Sequence, residues 1–256
     1  MEYNAITTRI FDIPPYTFFA IVGIVCAASL FIFLLLKFGY DIPSYTRVFF
    51  ISGIGLLIGA RLFGVLTGLY AALGSGEQIT LRIVTHSGIV FYGGMLGFLL
   101  SFFLMCKFWV KEAYSGVTDI LAICIPVFHF WGRLGCFFGG CCFGIETDSI
   151  LSIIYTTRID GEPITAARLP IQLFEAVLNL KLSLVLFVLL IYEKCKGRLI
   201  FAYLMSYAFI RIFTEFFRGD MVRGIWNGVS FSQMVSIIIL VVCFMLFYFK
   251  KEMTYD

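Results

Sequence analysis

A chain of 256 residues that is 61% hydrophobic and 14% charged is far more apolar than soluble globular domains, which are about 45–50% apolar. This composition excludes a water-soluble protein, and a net charge of +3 gives no reason to expect a nucleic-acid partner. The 30 Phe and 13 Tyr suit a bilayer protein, because aromatic rings are enriched at membrane interfaces.

Seven apolar segments are long enough to cross a hydrocarbon core of about 30 Å as helices. They lie at residues 16–36, 48–71, 87–106, 116–138, 171–192, 199–217 and 229–249. The first is too long for the core of a signal peptide and lacks a basic flank, so we expect it to remain in the mature protein. The pattern predicts an all-α, polytopic integral membrane protein in which residues 1–256 form a single transmembrane domain.

Lysine and arginine in the short connections predict how these helices are oriented, because cytoplasmic loops are enriched in both residues. The clearest positive bias lies at residues 193–198 and at Lys250 and Lys251. Placing these residues in the cytoplasm puts the C-terminus inside. The N-terminus and the longest connection, residues 144–169, then lie outside.

Six charged residues lie within or at the ends of apolar segments, where a charge at a helix centre costs at least about 2.5–3.5 kcal/mol. They are Arg61, Asp119, Arg133, Glu175, Arg211 and Glu215. Arg211 and Glu215 are four residues apart and can form an ion pair on one helix face. Arg61 and Arg133 have no oppositely charged residue at that spacing, so their partners must come from other helices or from a ligand. Because a guanidinium matches phosphate geometry, the pattern favours a phospholipid headgroup or another oxyanion.

Glycine is concentrated at residues 87–97 and again at residues 132–144, around Arg133. The spacing Gly64-x-x-x-Gly68 is typical of a close contact between membrane helices. The run at 132–144 is denser than packing requires, and glycine permits irregular backbone where it lines a protein cavity. This density indicates a site near Arg133.

Four of the eight cysteines lie in apolar runs and are expected to pack as small hydrophobic residues. These are Cys26, Cys106, Cys124 and Cys243. Cys136, Cys141 and Cys142 form a separate thiol cluster beside Arg133. An arginine can lower a thiol pKa, so a nucleophilic or redox role is an alternative to packing. The adjacent pair lacks C-x-x-C spacing and the chain has only two His, so neither a metal nor a cofactor is expected.

At these residues the chain resembles the bacterial prolipoprotein diacylglyceryl transferases, with elements in the same order along almost the whole chain. The matching elements are Ile-Gly-Ala-Arg61, Tyr92-Gly93-Gly94, the segment from Asp119 through Gly132-Arg133 to Gly144, Arg168-Leu-Pro-Ile-Gln172-Leu-Phe-Glu175-Ala, Arg211-Ile-Phe-Thr-Glu215-Phe-Phe-Arg218 and Ser232-Gln233. The resemblance implies seven transmembrane helices with the N-terminus outside, in agreement with the orientation predicted from charge.

The resemblance also implies a reaction in a bacterial inner or plasma membrane. A diacylglyceryl group would move from phosphatidylglycerol to the lipobox cysteine thiol in the signal peptide of a prolipoprotein, releasing glycerol phosphate. Arg133 and Arg211 would then stabilise the leaving phosphate, with Glu215 orienting Arg211. Further candidates for binding phosphatidylglycerol are Arg61, Gly93, Gly94, Gly144, Gln172 and Glu175.

Two positions depart from the family pattern. Tyr92 stands where the family has a histidine proposed to act in catalysis, and Cys136 stands at the position of an asparagine. A phenol of pKa about 10 is a poor general base, although it can orient a headgroup. His129 lies one helical turn before Arg133 on the same face, so it is the candidate replacement for the missing base. The alternative is a buried imidazole with a structural role.

The same arginines are compatible with two other functions. One is a related enzyme that transfers a phospholipid-derived group to another thiol or a small acceptor. The other is a membrane protein that binds or moves lipid without catalysis.

Overall fold

A computed structural model of the chain describes residues 2–6, 8–76, 88, 90–110, 115–159, 161–220 and 225–252. Within these residues, one α-helix lies at each predicted apolar segment. The helices are α1 (Pro15–Phe38), α2 (Ile42–Ser75), α3 (Phe91–Met105), α4 (Ser115–Gly139), α5 (Ile171–Ile191), α6 (Leu199–Glu215) and α7 (Phe231–Glu252). The predicted segment 87–106 begins partly outside the described residues.

Five of these helical segments are long and apolar enough to cross a membrane, namely α1, α2, α4, α5 and α3 together with its π-helical extension Cys106–Val110. The prediction of a mostly helical, multi-pass membrane protein is therefore confirmed. Proline and glycine set several helix ends. Pro15 begins α1, where its missing N–H costs no hydrogen bond, and Gly39 ends it in a left-handed conformation with φ of 72°.

Glycines allow α2 and α3 to meet backbone to backbone. A Cβ added to Gly59 would lie 2.2 Å from the carbonyl oxygen of Gly93, and one added to Gly97 would lie 2.2 Å from that of Gly55. Gly55 and Gly59 therefore face Gly93 and Gly97, each pair with the spacing typical of close helix contacts. The glycines at 93–97, which the sequence associated with the site, also hold this helix pair together.

Asp119 has a structural partner near the opposite end of α4 from Arg133. Its carboxylate accepts hydrogen bonds from the backbone N–H of Gly197 and, at 2.9 Å, from that of Leu199 at the start of α6. A carboxylate is stabilised at a helix N-terminus, where backbone N–H groups lack partners within the helix. This contact explains why an acidic residue stands in an apolar segment.

The connection at residues 144–169 contains a β-hairpin, which the all-α prediction omits. Strands β2 (Ile153–Ile159) and β3 (Glu162–Arg168) are antiparallel, and β1 (Glu2–Asn4) adds to β2 in parallel, giving the order β1-β2-β3. Strand β2 is rich in β-branched residues, and Gly161, with φ of 90°, follows an aspartate in the sequence. Both features are typical of hairpins. Two shorter strands, β4 (Ile225–Trp226) and β5 (Val229–Ser230), form a second small sheet.

The three-stranded sheet fixes the end of α4 and the turn that follows it. The hydroxyl of Tyr155 on β2 donates to the carbonyl of Phe137, and that of Thr157 donates to the carbonyl of Gly140 at 2.6 Å. Tyr155, Phe137 and Phe143 also share a small hydrophobic core. The hairpin therefore positions the glycine-rich and cysteine-rich segment that begins near Arg133.

Candidate active site

Glu175 on α5 is the centre of a buried cluster of charged residues. Its Oε2 atom forms an ion pair with Nε of Arg133 on α4, and its Oε1 atom accepts a hydrogen bond from Nη1 of Arg211 on α6 at 2.8 Å. The hydroxyl of Thr214 donates to the same Oε1 atom at 2.5 Å. Since the residue is only 2% exposed, one shielded carboxylate holds two arginines from two neighbouring helices.

A second carboxylate extends the cluster. Glu215 lies 2.7 Å from Nη2 of Arg211, so the ion pair that the sequence spacing predicts is formed, and the same nitrogen donates to Ser232 at 3.2 Å. Arg218 approaches Glu215 at 3.9 Å and pairs with both carboxylate oxygens of Asp220. Within the described residues, this network of ion pairs therefore joins three arginines to three carboxylates.

Such a network is a poor way to gain stability. Removing two charges from water costs several kcal/mol per ion, and the attraction between them in the interior often does no more than offset that cost. Charged residues that converge inside a membrane bundle are more often explained by a ligand or a reaction. The network is therefore the candidate active site.

Arg133 contacts three side chains of the site. Its Nε atom pairs with Glu175 and donates to Nε2 of His129 at 3.2 Å, and its side chain also hydrogen-bonds Tyr207. A guanidinium carries five N–H donors, more than these three contacts use. A fork of two such groups matches two oxygens of a phosphate.

His129 projects toward Arg133, as their spacing of one helical turn predicts. Its ring stacks on that of Phe91 with a centroid distance of 3.8 Å, and the hydroxyl of Tyr207 lies 3.4 Å from Nε2. Because Nε2 accepts the hydrogen bond of Arg133, the proton of the neutral imidazole is assigned to Nδ1. The side chain of Asn179 on α5 also interacts with this ring. His129 is arranged to orient Arg133, and it could act as a base only by releasing that hydrogen bond.

Tyr92 lies next to this group. Its hydroxyl forms a hydrogen bond of 2.6 Å with Ser236 on α7, and its ring packs edge-on against Tyr207 at a centroid distance of 5.2 Å. Tyr92 and His129 therefore both pack against Tyr207. The hydrogen bond to Ser236 fixes the phenol of Tyr92, and its role toward a headgroup stays a prediction.

The other predicted site residues lie around the network of ion pairs. Gln172, at the start of α5, donates to the carbonyl of Cys141 at 2.9 Å. Gly144 packs against Leu169, whose carbonyl oxygen would lie 2.2 Å from a Cβ on that glycine. Arg61 is half-buried on α2. The proposed roles of Arg61, Gly144 and Gln172 in lipid binding, like those of Gly93 and Gly94 at the contact with α2, stay predictions.

Sequence reasoning missed three residues that complete the site. Tyr207 lies four residues before Arg211 and Thr214 lies three after it, so helical periodicity could have placed both on the face that carries the arginine. Asp220 follows the end of α6, and it binds Arg218 two residues earlier in the chain. Such a contact depends on the local backbone after the helix, which spacing does not reveal.

The three cysteines of the thiol cluster converge just after the end of α4. The Sγ atoms of Cys136, Cys141 and Cys142 all lie within 4.8 Å of one another. Gly140 and Cys142 have positive φ angles of 79° and 57°, and the tight turn that they form brings the two later thiols back to Cys136. Cys136 is buried and Cys141 is exposed, and all three are free thiols.

The cluster stabilises a thiolate. Hydrogen bonds from Cys136 and Cys141 hold the pKa of Cys142 well below its usual range, and the positive charges of Arg218 and Arg133 lower it further. The hydrogen bond with Cys136 lowers the pKa of Cys141, but the hydrogen bond with Cys142 outweighs it, and the pKa of Cys141 is raised to about 12. Of the three thiols, that of Cys142 therefore ionises most readily, beside the arginines of the candidate site.

The chain is similar to a group of known proteins over most of its length. The family model described as "Prolipoprotein diacylglyceryl transferase" matches residues 4–249. The chain is 28% identical over 236 residues to a phosphatidylglycerol–prolipoprotein diacylglyceryl transferase 2 of Clostridium perfringens, covering 92% of this chain and 90% of that protein. It is 32% identical over 208 residues to the phosphatidylglycerol–prolipoprotein diacylglyceryl transferase of Campylobacter hominis, covering 75% and 69% of the two chains. For the corresponding protein of Campylobacter curvus the identity is 31% over 221 residues, with 80% and 76% covered.

Proposed function

The chain belongs to the prolipoprotein diacylglyceryl transferase family, and we propose that it transfers a diacylglyceryl group from phosphatidylglycerol to the lipobox cysteine of prolipoproteins. The observation that carries this proposal is the pairing of Arg133 and Arg211 with one buried carboxylate, Glu175. The pairing holds two guanidinium groups side by side in the membrane, where an isolated arginine would be costly.

The chemistry of the transfer requires such a pair. The sulfur of the acceptor attacks the glycerol carbon that is bonded to the phosphodiester oxygen, so a C–S bond forms while the C–O bond breaks. Glycerol phosphate leaves with the bonding electrons, and the proton of the thiol ends on it or on water. Negative charge grows on the phosphate during this step. Donors that are already in position stabilise that charge without reorganisation, and each typically contributes about 10²–10³ in rate.

The residues of the site divide this work. The terminal amino groups of Arg133 bind phosphate oxygens, while Glu175 and Glu215 hold Arg211 in place from two sides. His129 orients Arg133 through Nε, so the fork of that arginine keeps a fixed direction. The carboxylates also balance the arginine charges when no lipid is present, which keeps the network stable within the bilayer.

The proposal extends to the arrangement in the membrane. All seven helices cross a bacterial inner or plasma membrane, residues 1–256 form one transferase domain, and the N-terminus lies outside. The lysines and arginine at 193–198 support this orientation. The hairpin and the thiol cluster then lie at the outer side, where the signal peptide of a prolipoprotein presents its cysteine.

The orientation predicts the result of reporter fusions. A fusion after Gly197 and one at the C-terminus should be active with a cytoplasmic reporter, whereas a fusion between residues 146 and 162 should be active with an external one. If the fusions after Gly197 and at the C-terminus were instead active with the external reporter, the proposed orientation would be contradicted.

A lipobox peptide provides the direct test of the transferase activity. Purified protein should add the mass of one diacylglyceryl group to a peptide that carries the lipobox cysteine when phosphatidylglycerol is supplied, as measured by mass spectrometry. A peptide with serine in place of the cysteine is the matched control and should remain unmodified. Protein that binds phosphatidylglycerol but leaves the cysteine peptide unmodified would contradict the activity, and would favour lipid binding or another acceptor.

The hydrogen bond between Arg133 and His129 predicts different effects for two substitutions at residue 129. His129→Leu removes the acceptor and should lower the rate of transfer about 10- to 100-fold, because a hydrogen bond to a charged group contributes about 1.5–3 kcal/mol. His129→Gln keeps an acceptor oxygen and should retain most of the rate. A loss of about 10²–10⁴ in the glutamine variant would identify His129 as a general base instead of an orienting residue.

A further inference from the structure

Because three sulfur atoms converge beside the arginines, we infer that Cys136, Cys141 and Cys142 bind one zinc ion whose fourth coordination position takes the acceptor thiol. The inference rests on the proposed function, since the thiol is that of the lipobox cysteine. It assigns a role to the cluster that the ion-pair network does not supply, namely the conversion of the acceptor thiol to a thiolate.

The geometry of the cluster suits zinc. Zinc binds thiolate sulfur at about 2.3 Å with tetrahedral geometry, which sets neighbouring sulfur atoms about 3.8 Å apart. The three Sγ atoms already lie within 4.8 Å of one another, so small rotations of the cysteine side chains close the remaining gap. Cys141 is exposed and provides an entry path for the ion. Three protein ligands with an open fourth position are typical of catalytic zinc sites, whereas structural sites have four.

The backbone around the cysteines is held in the form that this site needs. Cys142 adopts a left-handed conformation with φ of 57°, which is strained for a residue other than glycine. Gln172 on α5 and Thr157 on β2 bind the carbonyls of Cys141 and Gly140, at 2.9 Å and 2.6 Å. These two contacts fix the backbone that carries Cys141 and Cys142. Ordinary packing does not require this turn, and a disulfide would use only two of the three thiols.

The spacing of the adjacent cysteines, which lack the pattern C-x-x-C, and the presence of only two His did not predict a metal site. The turn after α4 replaces that spacing, since it brings Cys141 and Cys142 back to a cysteine in the last turn of the helix. A zinc ion with three thiolates has a net charge of about −1. Arg133 lies one helical turn before Cys136 on α4, so the network supplies compensating positive charge next to the cluster.

The inferred zinc ion would account for how the acceptor thiol loses its proton, which the ion-pair network does not. A thiol of pKa about 8.5 is mostly protonated at neutral pH, and Tyr92 stands where the family has a histidine. His129 does not offer a free base either, because its Nε2 atom accepts from Arg133. Coordination to a metal ion deprotonates a thiol. The acceptor thiol therefore releases its proton to water when it binds, and the bound sulfur then attacks the glycerol carbon, forming the C–S bond as the C–O bond to the phosphate breaks. The oxidation state of zinc does not change.

The position of the cluster also suits this step. Cys136 follows Arg133 by three residues on α4, which is a rise of about 4.5 Å along the helix axis. On α5, Gln172 precedes Glu175 by the same interval and contacts the carbonyl of Cys141. The thiol site and the phosphate site are therefore about one helical turn apart on two neighbouring helices, so a sulfur atom and the glycerol carbon next to a bound phosphate can meet.

Metal analysis of the full-length protein tests the inference without relying on activity. Protein purified in detergent and supplied with zinc should retain about one zinc ion per chain after removal of free metal. Cys136→Ser and Cys141→Ser should each lower the zinc affinity by more than about 100-fold. Removal of a residue that only supports a ligand typically lowers metal affinity about 10- to 100-fold, and these variants remove a ligand itself. Cys195→Ser changes an exposed cysteine outside the cluster and should retain zinc. Equal zinc content in Cys136→Ser and Cys195→Ser would overturn the inference.

Cobalt tests the open position in the unchanged protein, so it does not depend on how a variant folds. Co²⁺ bound at the cluster should show sulfur-to-cobalt charge-transfer absorption, and its visible bands should shift when the cysteine lipobox peptide is added. The serine peptide should cause no shift. Absence of the charge-transfer absorption, or two of the three thiols joined in a disulfide while no metal binds, would overturn the inference.

The two proposals fail in different ways. Zinc bound by the cluster with no modification of the lipobox peptide would contradict the transferase activity and leave the metal site in place. Undiminished transfer by protein from which a chelator has removed all zinc would contradict the catalytic role of the metal and leave the transferase activity in place.

Discussion

Replacing Arg133 with glutamine should lower the initial rate of diacylglyceryl transfer by at least about 10²–10³, because it removes the donors that stabilise the charge of the leaving phosphate. Arg211→Lys should also lower the rate strongly, since a lysine cannot contact Glu175 and Glu215 at once in the geometry of a guanidinium fork. The measurement is the rate at which a lipobox peptide gains mass in the presence of phosphatidylglycerol.

Arg47→Gln is the matched control for these variants. Arg47 lies on α2 and is exposed, and it donates to the carbonyl of Pro43 within its own helix. Its replacement should leave the rate unchanged. Wild-type rates in both Arg133→Gln and Arg211→Lys, with normal insertion into the membrane, would exclude a phosphate-binding role for the two arginines.

Replacing Glu175 with glutamine should affect stability and activity together. The substitution keeps the shape of the side chain but removes the negative charge that two buried arginines share. Leaving buried charges without compensation costs about 3–5 kcal/mol, so the melting temperature should fall clearly in thermal unfolding of the detergent-purified protein. Transfer should fall as well, because Arg133 and Arg211 lose the group that holds them together.

A surface pair is the control for this loss of charge. Glu193 lies 3.8 Å from Lys196, and both side chains are more than 70% exposed, so Glu193→Gln should leave unfolding almost unchanged. The double variant Arg133→Gln with Glu175→Gln should lose less free energy of unfolding than the two single variants lose in sum. In the double variant, neither Arg133 nor Glu175 is left as a buried charge without the other. Additive losses would show that Arg133 and Glu175 do not act as a pair.

The sequence was sufficient for the helices but not for the centre of the site. The predicted segment 171–192 corresponds closely to α5 (Ile171–Ile191), because the length of an apolar run is a local property. Glu175 was only one of several binding candidates, yet it joins Arg133 and Arg211. Contacts between residues on different helices depend on how those helices rotate and pack. No spacing within one segment reports that arrangement.

The hairpin and the convergence of the three thiols were not predicted from the sequence, for two different reasons. Strand β2 contains polar threonines, so its low hydropathy indicated only a polar connection between helices. Its many β-branched residues nevertheless favour a strand. Cys136 and Cys142 are brought together by backbone conformation after α4, with positive φ at Gly140 and Cys142. Periodicity ends where the helix ends, so it could not place these thiols together.

The position of the phosphate of bound phosphatidylglycerol tests the proposed site most directly. An atomic structure of the protein in a bilayer that contains this lipid should place a phosphate oxygen at hydrogen-bond distance from the terminal amino groups of Arg133, about 2.7–2.9 Å, while Glu175 still holds Arg211. A phosphate bound elsewhere in the molecule, with both arginines of the network engaged only by Glu175 and Glu215, would contradict the proposal that these arginines bind the lipid that reacts.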